Sequence, residues 1–455
     1  MLTVFKMESE VINFLKENVK PAAGCTEIVA IGLASSIAYN AIYGNFPKNT
    51  GLATNESVPF PKREKLEEIK VVLDRNVFKN AYGVAIPNTN KRGIKLATVL
   101  GMYLDMNRFF KDETDTGYLE IFKQLDKSLL PLAETMVSKV HVEVDHTKSE
   151  LYIYVKLVYD KNVAEVALIA EHDNIAFIKL NERMIYKREG KRKITKKLNK
   201  TFSLNKILDK VEKIGDRELA ELQKTVDVNK LLVEEGLLGN YGMGIVKKYK
   251  KLIKEGLLPD DLQAKIKLQV AAGIEARMGG ADYPAMSSSG SGNNGIVATL
   301  PIIVVGENLD IKKDKILKGI LVSHMIVKEA SNYIGNLSAL CGACNKAAFG
   351  AAAGLTYVLG GNKREIENAV KYVASNITGV VCDGAKYGCV LKAVTAACVA
   401  YEAALMSLKG LDVPDDGIVD KNVDKTLENV GKVAKAMSNV DDVVVKIIQE
   451  KEEFA

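Results

Sequence analysis

Six cysteines are the residues of this sequence whose types and spacing best support chemistry. Cys25 stands alone, and the other five lie in the C-terminal third of the chain. The segment SALCGAC holds Cys341 and Cys344 in a CxxC arrangement, and VVCDGAKYGC holds Cys382 and Cys389. Thiolates presented by glycine-rich loops suit a zinc ion or an iron–sulfur cluster. The wide spacing of the second pair is atypical of a zinc knuckle and favours a cluster.

The C-terminal cysteines differ in how strongly their positions indicate metal binding. Cys341, Cys382 and Cys389 are predicted to lie in loops or at helix starts, where a metal can reach the thiolate. Cys344 could equally be a small apolar core residue. Cys398 lies in the middle of a predicted alanine-rich helix, where a buried thiol is the simpler interpretation. The candidate metal ligands are therefore Cys341, Cys382 and Cys389, and the choice between Cys341 and Cys344 stays open.

Cys25 lies in the segment PAAGCTEIVA, directly before a predicted helix that begins near Thr26. Unpaired N–H groups and the positive end of the helix dipole stabilise a thiolate at such a position. We therefore expect a depressed pKa for the Cys25 thiol, which would make it a base or a nucleophile. An inert thiol is the competing interpretation.

Neither the four histidines nor the common catalytic motifs indicate a catalytic site in this sequence. His141, His146 and His172 lie on or beside a predicted sheet, and His324 lies in an apolar helical segment, so each is interpreted as structural. The sequence contains no HExxH, GxSxG or Walker A pattern, and its glycine-rich stretches lack the GxGxxG spacing. Cysteine chemistry is therefore the first hypothesis.

The elements that must position these residues are typical of an α+β protein. The N-terminal part is predicted to be mixed, with four strands forming a small antiparallel sheet between about residues 138 and 186. The C-terminal part is predicted to be mainly α-helical and to carry a cysteine-ligated cluster. We therefore predict a mixed α+β domain over residues 1–265, which contributes Cys25, and an α-helical cluster-binding domain over residues 266–455.

Composition excludes several classes of protein and partner. The 455 residues are 47% hydrophobic and 26% charged, which excludes a disordered chain, a collagen-like repeat and a small disulfide scaffold. The net charge of +6 implies no strongly charged partner, and the basic run Lys187 to Lys200 is interpreted as a solvated linker because no aromatic residues interleave with it. We expect a cytoplasmic protein with a small-molecule substrate, without nucleic-acid or membrane partners, and a homodimer is a fair expectation.

Five motifs together resemble a known family: PAAGCTE, GVAIPNTNKRG at 83–93, EARMGGADYPAMSSSGSGNNGIVATLP at 275–301, SALCGAC and ITGVVCDGAKYGC. This collinear set, from about residue 8 to residue 408, resembles the L-cysteine desulfidases. That family is similar to the α-domain of iron–sulfur L-serine dehydratases. The sequence departs from the family pattern at Asn88-Thr89-Asn90, where a glycine-rich loop is expected, and at Ala343-Cys344.

The resemblance implies a 4Fe-4S cluster held by three cysteines, here Cys341, Cys382 and Cys389, with one iron open to act as a Lewis acid on the substrate. It implies β-elimination of L-cysteine to pyruvate, ammonia and hydrogen sulfide, which makes the protein a carbon–sulfur lyase. Cys25 would be the base that removes the Cα proton, or a resting ligand that caps the open iron.

A loop from Ser287 to Asn294 combines hydroxyls, amides and backbone N–H groups that suit a small carboxylate. Lys386, inside CDGAKYGC, could neutralise the substrate carboxylate or the charge of the cluster, and Arg277 is a weaker candidate for the carboxylate. The predicted substrate-binding residues are Ser288, Ser289, Gly290, Ser291, Asn293 and Lys386.

Two other functions stay open. Serine dehydration by the same iron–sulfur chemistry differs only in whether oxygen or sulfur leaves. A non-catalytic iron–sulfur redox sensor is a hypothesis from another class, although the sequence contains no recognisable output module. A structural zinc protein is disfavoured by the asymmetric spacing of the cysteines.

Overall fold

A computed structural model describes residues 9–453 except residues 23, 56, 111–116, 149, 189–202 and 336. The basic run Lys187 to Lys200 lies outside the described residues from position 189 onward. The interpretation of that run as a solvated linker therefore stays a prediction.

The described residues form eight β-strands and sixteen α-helices. The strands are β1 (Pro21–Ala22), β2 (Leu66–Leu73), β3 (Val140–Val144), β4 (Tyr152–Tyr159), β5 (Asn162–Ile169), β6 (Ile175–Leu180), β7 (Arg183–Lys187) and β8 (Ala285–Met286). The helices are α1 (Glu10–Asn18), α2 (Thr26–Ile42), α3 (Arg75–Tyr82), α4 (Ile94–Gly101), α5 (Leu130–Glu134), α6 (Leu204–Glu212), α7 (Asp216–Leu237), α8 (Ile245–Lys254), α9 (Leu262–Met278), α10 (Gly292–Asn308), α11 (Lys313–Ile334), α12 (Ala348–Val358), α13 (Lys363–Ile377), α14 (Cys389–Leu408), α15 (Val423–Ala436) and α16 (Val440–Glu453). A π-helical turn, Ala343–Ala347, leads directly into α12.

The larger sheet has six strands in the order β3-β2-β4-β5-β6-β7. Strand β2 lies between β3 and β4 and pairs with β3 in parallel, whereas the other pairs are antiparallel. The prediction of a mixed α and β protein is confirmed. The antiparallel sheet predicted between about residues 138 and 186 is confirmed in part: β4 to β7 are antiparallel, but the sheet also includes β2, with which β3 pairs in parallel. A bulge between Leu66 and Glu68 interrupts the apolar alternation of β2, so its sequence does not show the period of two that reveals a strand.

Helix α2 carries the start of the candidate site and is buried along nearly its whole length, from Glu27 to Ala41. Its sequence is apolar or small on every side, and a helix of that kind packs on all faces. It lies between α4 and the sheet strands β4 and β5. The predicted helix start near Thr26 is confirmed, and Cys25 occupies the N-cap position.

The C-terminal part is a helical assembly in which α12 packs against α10, α11, α13 and α14. Small residues permit this: a Cβ at Gly354 would lie 2.5 Å from the Gly319 carbonyl oxygen, so only glycine lets α11 and α12 approach so closely. The predicted domain boundary after residue 265 lies inside α9. The division into two domains stays a prediction.

A two-strand pair ties the N-terminal segment to the helical part. Strand β1 pairs antiparallel with β8, and Pro21 lies opposite Met286. Beyond the strands, the Ser287 N–H donates to the Lys20 carbonyl oxygen at 2.7 Å, and the Ser289 N–H donates to the Asn18 carbonyl oxygen at 2.9 Å. The backbone that leads to Cys25 is therefore held against the serine-rich loop.

Helix α14 is, among the described helices, the one long and apolar enough by length and composition to cross a membrane. In the structure 44% of its most apolar window is buried, and it packs against α9, α12 and α13.

Replacing Glu275 should lower the free energy of unfolding. The buried Glu275 carboxylate accepts hydrogen bonds from the Met243 N–H at 2.8 Å and the Val246 N–H at 3.3 Å, at the start of α8. Glu275→Gln substitutes an amide donor for one of these acceptors, and an unsatisfied buried donor costs about 1–3 kcal/mol.

Urea unfolding followed by circular dichroism under anaerobic conditions measures this loss. The matched control is Glu307→Gln, because Glu307 is half exposed and forms a surface ion pair with Lys230. Such pairs contribute about 0–1 kcal/mol. Equal losses for the two variants would contradict the assigned role of Glu275.

Candidate functional site

The Cys25 thiol is directed to a carboxylate and does not cap the helix N–H groups. Its Sγ donates to Glu27 Oε2 at 2.9 Å, and no side-chain capping bond is formed. The other Glu27 oxygen, Oε1, accepts from the Asn80 side-chain amide at 2.9 Å. Cys25 is 3% exposed. The first turn of α2 therefore presents a buried thiol–carboxylate pair that Asn80, at the end of α3, holds in place.

The expected depression of the Cys25 pKa is wrong. Burial raises the pKa of the Cys25 thiol well above its usual range, and the negative charge of Glu27 raises it further, whereas the charge of Arg277 lowers it by a smaller amount. Burial also raises the pKa of the Glu27 carboxyl, but the charge of His172 and the hydrogen bonds from Cys25 and Asn80 bring it below its usual value. The proton therefore resides on Cys25 Sγ and the negative charge on Glu27.

Two of the predicted metal ligands lie on paired backbone segments. The Cys341 N–H donates to the Val380 carbonyl oxygen at 2.8 Å, and the Cys382 N–H donates to the Ala339 carbonyl oxygen at 2.7 Å. Asn345, in the π-helical turn, donates to the carbonyl oxygens of both Cys341 and Val380. This pairing fixes the Cys341 and Cys382 thiols relative to each other.

Cys389 is the first residue of α14 and joins this pair. Its Sγ accepts from the Lys386 N–H at 3.4 Å. Burial is the main reason that the pKa of the Cys389 thiol is raised to about 12. The charges of Cys341 and Cys382, which lie nearby, also raise this pKa. The three predicted ligands therefore lie near one another, and each of the three residues is partly exposed.

A glycine shapes the loop between Cys382 and Cys389. Gly384 has a φ of +96°, and a Cβ there would lie 2.2 Å from the Lys79 carbonyl oxygen. Only glycine fits such a backbone conformation at that distance. The loop is therefore pressed against the end of α3, the helix that also carries Asn80.

Cys344 and Cys398 lie in different surroundings. Cys344 is 1% exposed, and its thiol lies 3.5 Å from the Lys392 carbonyl oxygen. It also shares a hydrogen bond with Cys341, which lowers the pKa of Cys341. Cys398 lies about two and a half turns after Cys389 in α14. Of the two CxxC thiols, Cys341 is the more accessible.

Among the described residues, no three His, Cys, Asp or Glu side chains are placed to hold one metal ion jointly. A cubane cluster takes one cysteine per iron, so its ligands need not converge on a single point. Lys392 is close enough to all three thiols to lower their pKa values, which offsets part of the negative charge that thiolate ligands bring. The donor set therefore fits a cluster ligated by Cys341, Cys382 and Cys389.

The serine-rich loop supplies several buried polar groups. Ser288 is buried, and its Oγ lies 2.9 Å from His324 Nδ1. Ser291 caps α10, its Oγ accepting from the Asn294 N–H at 3.4 Å. Ser289 Oγ and Asn294 Nδ2 are buried and have no hydrogen-bond partner. Gly290 lies at the exposed tip of the loop.

Two contacts connect this loop to the cysteines. A Cβ at Gly342, directly after Cys341, would lie 2.7 Å from Asn294 Oδ1. The Arg277 Nη1 donates to Asn293 Oδ1 at 2.9 Å. Arg277 is also close enough to Cys25, Glu27 and Cys389 for their charges to affect its pKa. The thiol–carboxylate pair, the loop and the cluster ligands therefore form one site.

Lys386 lies beside the site, but its charge is already paired. Its Nζ forms an ion pair with Asp383, and its side chain is 40% exposed. Asp383 also binds Lys392 Nζ at 2.6 Å. The role predicted for Lys386 at the substrate carboxylate stays a prediction.

Sequence reasoning did not identify Glu27, Asn80 or Lys346 as site residues. Lys346 is 2% exposed, and its Nζ donates to the Gly335 carbonyl oxygen at 3.0 Å. Burial lowers the pKa of Lys346 to about 8, although nearby Cys382 and Cys341 raise it. His324, interpreted as structural, contacts the serine-rich loop. The sequence signal that could have identified Glu27 is the presence of a charged residue inside the motif PAAGCTE.

Comparison with known proteins places the chain in a family. The sequence profile of the serine dehydratase alpha chain matches residues 132–446, which is more than half of the chain. A UPF0597 protein of Clostridium botulinum is 31% identical over 97% of this chain and 98% of its own length. UPF0597 proteins of Caldanaerobacter subterraneus and Desulfotalea psychrophila are each 32% identical over at least 97% of either chain. The chain belongs to the serine dehydratase alpha chain family.

Proposed function

We propose that this protein is an L-cysteine desulfidase, which eliminates hydrogen sulfide from L-cysteine and leaves aminoacrylate to hydrolyse to pyruvate and ammonia. Membership of its family indicates a lyase of the iron–sulfur serine dehydratase kind. The observation that carries the proposal is that the Cys25–Glu27 pair, Arg277 and three partly exposed cysteine residues lie near one another. The motifs that form this site are those that resemble the desulfidases.

Cys341, Cys382 and Cys389 would hold a 4Fe-4S cluster. When bound, the cluster supplies an open iron that acts as a Lewis acid toward the leaving group, and iron in sulfur coordination favours a soft thiolate over a hydroxyl. Lys392 adds positive charge beside the three ligands. Backbone hydrogen bonds between the Cys341 and Cys382 segments keep these two ligands at a fixed distance from each other.

The Cys25–Glu27 pair supplies the base. Because the thiol is protonated and donates to a carboxylate, Cys25 cannot take a Cα proton until its own proton leaves. Glu27 Oε2, at 2.9 Å, is the acceptor for that proton. As the Cα proton moves to Cys25 Sγ, the Cys25 proton moves to Glu27, and Asn80 keeps the carboxylate aligned throughout.

The loop around Ser288 to Asn293 binds and orients the substrate. Backbone N–H groups at the start of α10 and the Ser289 hydroxyl are donors suited to a carboxylate. His324 fixes the Ser288 side chain, since its Nδ1 lies 2.9 Å from the Ser288 Oγ. Burial lowers the pKa of His324 to about 3, so this histidine stays neutral and adds no charge.

Iron–sulfur L-serine dehydratase is the second candidate function. The family profile carries the name of serine dehydratase, and that match favours it. The residues that hold and move protons would act in the same way on either substrate. The two candidates differ only in the atom that leaves Cβ.

Protein purified without oxygen should contain about four iron and four acid-labile sulfide per chain. Replacing any one of the three ligands, as in Cys341→Ser, should lower both contents, because one iron then loses its thiolate and the cluster is held less firmly. Cys344→Ser should retain them, and Cys398→Ser is the matched control. Loss of iron in Cys344→Ser but not in Cys341→Ser would reverse the ligand assignment.

Turnover on L-cysteine should exceed turnover on L-serine. The same enzyme sample is assayed anaerobically on both amino acids, and pyruvate is measured in each case so that the readout is identical. We expect the higher kcat/KM on L-cysteine because its leaving thiolate is the softer ligand for iron. A higher kcat/KM on L-serine would assign the second candidate function instead.

Glu27→Gln should lower kcat by about 100-fold, because it removes the acceptor for the Cys25 proton. Iron content should be unchanged, and Glu307→Gln is the exposed control. The same variant should make Cys25 easier to alkylate in cluster-free protein. The Glu27 charge raises the pKa of Cys25, so its removal moves thiolate formation, and alkylation, to lower pH.

Mass spectrometry of the peptide that contains Cys25 measures this pH profile against the wild type. Reactivity that rises while turnover falls separates a proton acceptor from a residue that only supports the fold. If Glu27→Gln turns over cysteine as fast as Glu307→Gln, Glu27 does not take the proton.

A further inference from the structure

A buried guanidinium that forms no direct ion pair among the described residues lies within the site. Arg277, in the last turn of α9, is 4% exposed. Its Nη1 donates to Asn293, but its buried Nε has no hydrogen-bond partner. None of the ion pairs found among the described residues includes Arg277. A buried charge without a partner is costly, so such a group indicates a site for an anion.

The backbone around Arg277 leaves room for the guanidinium against the serine-rich loop. A Cβ at Gly292 would lie 2.2 Å from Arg277 Nε and 2.7 Å from its Cζ. Because glycine has no side chain, the Nε–H faces the first turn of α10 directly. Free N–H groups at a helix start attract anions, so the guanidinium and the helix start favour the same ligand.

Two more unsatisfied donors belong to the same loop. The Ser289 hydroxyl and the Asn294 side-chain amide are both buried, and neither has a hydrogen-bond partner. Buried polar groups without partners are rare in native proteins, and a missing ligand is one physical explanation for a cluster of them. A carboxylate, with two oxygens that accept several hydrogen bonds, satisfies all three groups.

The other described cations near the thiols already have partners. Lys386 and Lys392 both bind Asp383. Lys79 forms a buried ion pair with Asp441 at 2.5 Å. Arg277 therefore differs from these lysines because its charge is available inside the site.

We propose that Arg277 binds the α-carboxylate of an α-amino acid, and that Ser289 Oγ and Asn294 Nδ2 complete the carboxylate site. The identity of the amino acid as a substrate for elimination rests on the proposed function. Arg277 lies within range of the charges of Cys25 and Cys389. The carboxylate site adjoins the predicted ligands, because Arg277 binds Asn293 and the next residue, Asn294, packs against Gly342, which follows Cys341.

Calorimetry with two probes that cannot react tests the proposal on anaerobically purified protein. L-alanine carries the carboxylate and no leaving group, and L-alaninamide has the same side chain without the carboxylate. Wild-type protein should bind L-alanine and not L-alaninamide. Arg277→Lys should weaken L-alanine binding about 30-fold or more, because an ammonium does not reproduce the planar two-donor contact of a guanidinium with a carboxylate, and disrupting a buried charge pair has effects of that size.

The matched control is Arg364→Lys, because Arg364 is 76% exposed and pairs only with the surface residue Asp412. It should bind L-alanine as the wild type does. The wild-type comparison of the two probes needs no variant, so the proposal stays testable even if Arg277→Lys does not fold. Equal binding of both probes, or no binding of L-alanine, overturns the proposal.

Turnover gives an independent readout. Wild-type enzyme should prefer L-cysteine to L-cysteinamide, and Arg277→Gln should reduce this preference by raising the KM for L-cysteine more than it lowers kcat. A merely structural role would affect both substrates equally, and that result contradicts the proposal. If wild-type protein binds L-alanine through Arg277 yet releases no sulfide from L-cysteine, the proposed function fails and the carboxylate site stands.

Discussion

The site depends on one backbone constraint, the antiparallel pairing of Pro21–Ala22 with Ala285–Met286. This short pair and the hydrogen bonds beside it join the segment that leads to Cys25 to the serine-rich loop. It fixes the segment that leads into the buried helix α2 directly against the helical part of the chain, at the point where chemistry is expected. Backbone bonds suit this task because they tolerate little change in register, and a slip of one residue would turn each side chain to the opposite face.

The buried charges of Glu27 and Arg277 determine which protonation states and ligands this site can hold. A buried carboxylate, Glu27, accepts a hydrogen bond from the protonated Cys25 thiol, and a buried guanidinium, Arg277, lies within range of the charges of Glu27 and Cys389. Each buried charge needs compensation, and the chain compensates Glu27 by hydrogen bonds but leaves Arg277 largely open. This asymmetry suits the proposed carboxylate site, because Glu27 is already hydrogen-bonded before a substrate binds, whereas Arg277 would gain its counter-ion from the substrate carboxylate.

Helix α16 supports the loop between Cys382 and Cys389 through Lys79. Asp441, at the start of α16, pairs with Lys79, whose carbonyl oxygen is pressed against Gly384 in the ligand loop. Lys79 also lowers the pKa of Cys382. The end of the chain thus stabilises the loop that presents two of the three predicted ligands, although the sequence places them far apart.

Much of this protein follows from its sequence alone. Residue types and spacing identified Cys341, Cys382 and Cys389 as a group, located the helix start after Cys25, and predicted a mixed α and β protein, because such features depend on neighbours within a few residues. Tertiary structure decided the rest. The parallel partner of β3 lies in a strand whose alternation is broken by a bulge. The protonation of Cys25 depends on burial and on the Glu27 charge, and the Glu27 carboxylate is held by Asn80, 53 residues away. The electrostatic environment of a side chain depends on residues that packing brings together from distant parts of the chain, so a local sequence pattern cannot predict it.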